Sequence, residues 1–439
     1  MIVFSKFQKA AWRWLLAGAL LGAAPVHAQE VDDDLSAVFV DQARQVTQVV
    51  GIDADWNIKL QGDSAVSVVA ADELIYWGEY RDRETGPQII LVAGGLLRAD
   101  PLELTADGLT IGDATGLSRT LWDESTLPRT AVKGVLLQPP ADAIERDKLI
   151  DRVRTYDQAD DLLLLTSGET VSGRLVEAPR AGRFLPEDET PADVYKLVRT
   201  GVDEPLTVPA SKVVGILFGG RQVARAQPGE ADAQLGFSDG SLLSVQRIEV
   251  KGDTVRLHLT GGGILSAPFD QPDESAPTIW HQLTWLRPAN RRVTYLSDLT
   301  PIGYKHIPLL TLDWPYGDDR NDLGGALRSK RALWSKGLGM HPISRLAYDL
   351  NGQYRRFEAE IALDAAAGMR GSVVFKVLVE RQPNQWSTAF ESPVVRGGDQ
   401  PIPVSVDVKD ARRMALIVDY ADRADELDHA NWLMARLID

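Results

Sequence analysis

The sequence predicts a mainly β protein: small repeated β-sheet or barrel units followed by a C-terminal jelly-roll β-sandwich. Three observations carry this expectation. Short runs alternate at period two through nearly the whole chain, a four-fold pattern recurs upstream of residue 286, and the texture changes at Arg287. Alternation at period two buries one face of a strand, and four or five such strands close into a small curled sheet or barrel.

The N-terminus is set apart from this pattern. Lys6, Lys9 and Arg13 precede an apolar run of 11 residues, Trp14 to Ala24, broken by Pro25 and followed by Val26-His27-Ala28. This is the layout of a signal peptide over 1–28, with cleavage before Gln29. The run is shorter than the ~20 residues a membrane-spanning helix needs, so the chain is expected to be exported, to the periplasm or outside the cell, with no membrane span after cleavage. An uncleaved anchor is the alternative. The chain has no cysteine, which excludes disulfides, thiol catalysis, thiolate metal sites and a lipid-modified cysteine.

Four copies of a weak repeat follow, unevenly spaced. Each opens on a strand and a polar turn: AVFVDQ (37–42), IILVAGG (89–95), LLLLTSG (162–168) and QLGFSDG (234–240). Each has a central alternating strand: WNIKL (56–60), LTIG (109–112), YKLV (195–198) and VRLHL (255–259). Each closes on an apolar strand after a small or polar step: ADELIYW (71–77), TAVKGVLL (130–137), SKVVGILF (211–218) and WHQLTWL (280–286). A propeller or solenoid would be more regular, so the copies read as separate small β units. After Pro139-Pro140, residues 141–156 place Ile144, Leu149, Ile150 and Val153 among charges, an amphipathic helix within a connector over 141–160. Residues 219–233 read as a surface linker. The copies are accordingly grouped as two pairs, 29–140 and 161–286, on either side of the helix.

From Arg287 strong strands alternate with long acidic loops: RRFEAEIAL (355–363), GSVVFKVLV (371–379), IPVSVDV (402–408) and MALIVDY (414–420). Antiparallel strands joined without helices predict a jelly-roll sandwich over 287–439. Its motifs are specific in order: SDLTPIGYKHIPLLTLDWPYGDDRNDLGG (297–325), KGLGMHPISRLAYDLNGQYRRFEAEIALD (336–364), GMRGSVVFKV (368–377), SPVVRGGDQPIPVSVDV (392–408) and DHANW (428–432). Together they resemble the NPCBM/NEW2 family of carbohydrate-binding modules. The resemblance implies a galactose-binding-domain-like jelly roll, an affinity for sugars and a bound calcium ion. Two departures bear on the calcium: Asn431 stands where the family's box has Asp, and Ala365 to Ala367 follow Asp364 where it is acidic.

Sugar recognition needs an aromatic plate and planar polar groups for hydroxyls. Trp334, His341, Asp428, His429, Asn431 and Trp432 supply both and form the expected ligand site, with the 334–341 and 428–432 segments side by side at one edge of the sandwich. A buried Trp and a hydrogen-bonded His that lock terminal strands are the structural alternative. Trp314, Trp334 and Trp386 lie in loop-like sequence and are the better plates. The acidic loop Asp419, Asp422, Asp425, Asp428 spaces carboxylates three apart, and Asp425 and Asp428 are the candidate calcium ligands. No other cofactor is implied.

The net charge of −15 repels phosphate backbones and excludes nucleic acid as a partner. The chain has no phosphate-binding Gly-Lys-Ser/Thr loop, Gly-x-Ser-x-Gly elbow or His-Glu-x-x-His helix. The reading is a non-enzyme that presents a glycan- or polysaccharide-binding sandwich on a β-repeat scaffold. The alternatives are a structural envelope protein that docks other proteins and binds no sugar, and a glycoside hydrolase with an unrecognised carboxylate pair.

Overall fold

Pairing of the opening strand with the closing strand turns each repeat into a closed unit. Ser36–Phe39 pairs with Leu74–Gly78, Gln88–Leu91 with Val132–Leu136, Asp161–Leu165 with Val213–Leu217, and Ala233–Phe237 with Leu283–Arg287, all antiparallel. The computed structural model of the chain describes residues 35–439 apart from 64, 84–85, 100–101, 105–107, 113–120, 180–193, 200, 203, 221–232, 270–277, 310 and 423–425. The expected signal peptide, most of the expected linker and Asp425 lie outside these residues.

The polar step before the closing strand is a 3-10 turn in the last three repeats, at Arg129–Ala131, Ala210–Lys212 and Ile279–Gln282. Central strands bury alternate residues, Tyr195 and Leu197 in one repeat and Val255, Leu257 and Leu259 in another. That is the half-buried pleat that period two demands. These side chains share one core with those of the other repeats.

The grouping of repeats differs from the sequence expectation. The second and third repeats pair through their closing strands, with Val135 opposite Ile216, Gly134 opposite Leu217 and Leu136 opposite Gly215. The first and fourth pair in the same way, with Leu286 opposite Trp77 and Trp285 opposite Gly78. The registers are equivalent: within their own repeats Trp77, Val135, Ile216 and Leu286 face Ala37, Ile89, Leu163 and Leu235 of the opening strands. Each junction therefore approximates a two-fold axis through this position. Neighbours in sequence are not partners here, because the exposed edge of a closing strand, not the connecting chain, decides what it pairs with.

The expected helix forms over Ala143–Thr155, with the Asp142 side chain accepting from the Glu145 amide as its cap. Val153 is buried against Ile90, Leu136, Leu164 and Leu217, so the helix covers the second–third junction. Among the described residues no helix is long and apolar enough to cross a membrane.

The C-terminal third is a sandwich of two six-stranded antiparallel sheets. One sheet is built around Ala430–Ile438, which pairs with Gly337–Met340, Arg356–Leu363 and Val293–Tyr295, so first and last strands meet. The other contains Gly303–His306, Ser344–Asp349, Arg413–Tyr420 and Ser372–Gln382. Phe357, Phe375, Leu416 and Trp432 are among the side chains buried in its core.

The sandwich does not hang free. Met434, Ile438 and Tyr295 pack on Val38, Ile75, Tyr76 and Trp285 of the first–fourth junction. The Tyr76 hydroxyl donates to Glu360 at 2.8 Å, and Arg44 pairs with the same carboxylate. A second contact reaches the helix, where Asp147 accepts from the Ala326 amide at 2.9 Å and is ion-paired to Arg328. Leu35–Asp439 forms one compact unit.

Candidate functional site

A cluster of rings lies at one edge of the sandwich, built by the segment 304–322 against the starts of two strands. Trp314 stacks on His341 with ring centroids 4.4 Å apart and planes 10° apart. His429 meets Trp314 at 5.8 Å and His341 at 5.7 Å, and His306 meets His341 at 6.0 Å, all edge-on or steeply tilted. His341 and His429 are buried, whereas Trp314 is half-buried.

The indole is held by its own backbone. Tyr304 donates its hydroxyl to the Trp314 carbonyl at 2.6 Å, and the Trp314 amide donates to Nδ1 of His306 at 3.2 Å. Nε2 of His306 and Nδ1 of His341 both donate to the Pro342 carbonyl, at 3.1 and 3.0 Å. The exposed Asp313 carboxylate also stands 3.2 Å from Nδ1 of His306. A plate fixed at both backbone atoms loses little freedom when a ligand covers it.

Asp322 completes the cluster from below. Both its carboxylate oxygens lie within hydrogen-bond range of Nδ1 of His429, at 3.0 and 2.9 Å. Burial pulls the His429 imidazolium down, but the hydrogen bond and charge of Asp322, with Asp364 and Asp428 behind it, raise its pKa above the ordinary value. Two local features bring Asp322 here. Asn321 accepts from the Leu323 and Gly325 amides through its side chain, folding a tight turn. Gly339, in the KGLGMH motif, lets that turn approach, since a Cβ there would stand 2.4 Å from the Asn321 Cα.

The two expected segments do lie side by side, because Gly337–Met340 pairs with Ala430–Leu433. Their side chains divide differently from the sequence expectation. Trp432 is fully buried, 5.0 Å from Phe375 and 6.1 Å from Phe357, and is a core residue. Asn431 is buried and donates to Asp364 at 2.8 Å, and Asp428 is buried and accepts from the Ser372 amide at 2.6 Å. All three tie the last strand into the fold and are corrected to structural residues. Trp334 is corrected as well: it packs edge-on against Tyr76 and Trp285, 6.2 and 6.4 Å away, at the junction with the repeats. His341 and His429 lie in the ring cluster together with Asp322 and His306, which the sequence does not single out. Trp386 is exposed on the edge strand Gln385–Glu391, outside the cluster's ring contacts.

Among the described residues, the carboxylates of the acidic loop meet other donors; Asp425 lies outside them. Asp419 pairs with Lys376 at 3.0 Å, Asp422 with Arg396 at 2.6 Å, and Asp428 is turned to the Ser372 amide.

Residues 292–438 match the family model described as the NPCBM/NEW2 domain. The chain is 26% identical over 147 residues to a protein of Renibacterium salmoninarum named "Putative endo-alpha-N-acetylgalactosaminidase"; the match covers 33% of this chain and only 9% of that protein. It is similar to the CBM51 of a Clostridium perfringens GH95 enzyme solved with methyl-galactose, at 22% identity, covering 33% of this chain and 99% of that one, with a TM-score of 0.29. It is also similar to the tandem CBM51 modules of a family 98 glycoside hydrolase from Streptococcus pneumoniae, at 11% identity, covering 63% and 87%, with a TM-score of 0.30. The NPCBM/NEW2 domain thus occupies the C-terminal end of the chain, as expected, and the four repeats lie outside the matched residues.

Proposed function

We propose that this chain is an exported, non-catalytic carbohydrate-binding protein whose ligand rests against Trp314. The observation that carries the reading is the half-exposed indole, fixed at its backbone N–H and C=O and backed by His341, with the exposed carboxylate of Asp313 next to it in the chain. An aromatic face takes the apolar face of a pyranose, and imidazole and carboxylate groups take its hydroxyls. The NPCBM/NEW2 match over these same residues supports a glycan as the ligand class. The repeats act as the scaffold that fixes the sandwich and docks other envelope proteins.

Binding without cleavage is the simpler reading of this site, because Asp322 is held by His429 and glycoside hydrolysis needs a pair of carboxylates flanking the bond. Few atoms of a single sugar make contact, so affinity is expected in the millimolar-to-micromolar range, roughly 4–8 kcal/mol. A glycan array probed with the full chain is expected to light up a restricted set of neutral glycans and to leave nucleic acid and phospholipid blank. An array with no glycan signal sinks the reading. Turnover of chromogenic glycosides, lost on replacing one carboxylate, would remove the non-catalytic part alone.

A further inference from the structure

We propose that Asp322, His341 and His429 form a binding site for a divalent first-row transition metal ion, with zinc as the reference. The three residues sit on separate segments: the 321–325 turn, the residue after strand Gly337–Met340, and the residue before strand Ala430–Ile438. All three are buried, and one ligand atom from each lies within 4.8 Å of the others. The site goes beyond the glycan reading and does not depend on it.

The spacing suits a shared ion. Two donors each about 2.1 Å from one ion lie about 3.0 Å apart at a right angle and about 3.4 Å apart at a tetrahedral one. Nδ1 of His429 and the Asp322 oxygens are already 2.9 and 3.0 Å apart, so an ion can take the place of the shared proton with little movement of this pair. His341 supplies the third donor atom within the same 4.8 Å. Its ring plane is set by the stack on Trp314 and the contact with the Pro342 carbonyl, the kind of outer support that orients ligating imidazoles.

Charge favours a cation here. Among the described residues no Lys or Arg side chain is ion-paired to Asp322 or Asp364. Two imidazoles and one carboxylate select zinc, nickel, copper or iron over calcium or magnesium, which prefer all-oxygen shells. Three protein donors leave at least one position for water.

The test is calorimetric titration of the metal-stripped full chain with zinc chloride, repeated with cobalt to read its visible bands. One ion per chain is expected, with tetrahedral or five-coordinate cobalt absorption. His429→Ala and His341→Gln should each weaken binding by at least about 100-fold, beyond the 10–100-fold that loss of an outer-shell partner brings. Trp386→Ala, on the exposed edge strand Gln385–Glu391 outside the ring cluster, should keep the ion. Absence of one-to-one binding by the wild type overturns the proposal, as does equal binding by all folded variants, with near-ultraviolet dichroism reporting the fold. Probing the glycan array with and without chelator separates the two readings: glycan binding without metal binding sinks only this site, and the reverse sinks only the proposed function.

Discussion

The two strand junctions of the repeat scaffold share one backbone arrangement and carry opposite surfaces. At the second–third junction the residues flanking the axis are Gly134 and Gly215. The space over Gly134 is taken by the helix, where a Cβ would stand 2.8 Å from Val153 Cγ1 and 2.4 Å from the Ile216 carbonyl oxygen, while Gly215 faces Leu136 and Leu164. At the first–fourth junction the equivalent residues are Tyr76 and Trp285, which stack at 5.2 Å and support Trp334 of the sandwich. One position thus decides what covers the seam. Small residues admit a helix, and aromatic ones build a platform for a second domain.

Breaking the aromatic junction should have the largest effect. Trp285→Ala removes a fully buried indole and is expected to cost about 3–5 kcal/mol, read by urea denaturation, with the sandwich junction becoming sensitive to protease. The glycine junction should respond to added volume instead. Gly134→Ala drives a Cβ into backbone and is expected to cost about 1–3 kcal/mol by the same measurement. Gly215→Ala sharpens the comparison: its Cβ would meet Leu136 Cδ2 at 3.1 Å and the Val135 carbonyl oxygen at 3.2 Å, a looser fit than the 2.4 Å at Gly134. Its cost should stay below that of Gly134→Ala. Equal losses at Gly134 and Gly215 would mean that the helix does not depend on the space at this seam.

The strands, the helix and the sandwich were legible because their causes are local. Val255, Leu257 and Leu259 alternate in sequence and are buried in alternation. The partnering of repeats was not legible, because Gly134 and Tyr76 occupy equivalent positions in strands that look alike as apolar runs. Half of the site could be read. His341 and His429 lie in marked motifs, but Asp322 reaches His429 only through a turn that presses on Gly339, a contact without periodicity to betray it. The paired glycines of KGLGMH were the available signal, since a glycine within a strand often marks close approach of another backbone. Trp334 and Trp432 resemble Trp314 in composition alone; burial separates them, and burial of a tryptophan depends on what the rest of the chain brings to it.

Trp314 and Trp334 therefore make the most direct test of the proposed binding site. Calorimetric titration of the strongest array glycan into the wild type, Trp314→Ala and Trp334→Ala compares the surface plate with the junction residue. Trp314→Ala is expected to lose at least about 10-fold in affinity, equivalent to about 1.4 kcal/mol, while remaining folded. Trp334→Ala should keep the wild-type affinity and lower stability instead. Wild-type binding by folded Trp314→Ala, with binding lost in folded Trp334→Ala, would contradict the account and place the ligand elsewhere on the sandwich.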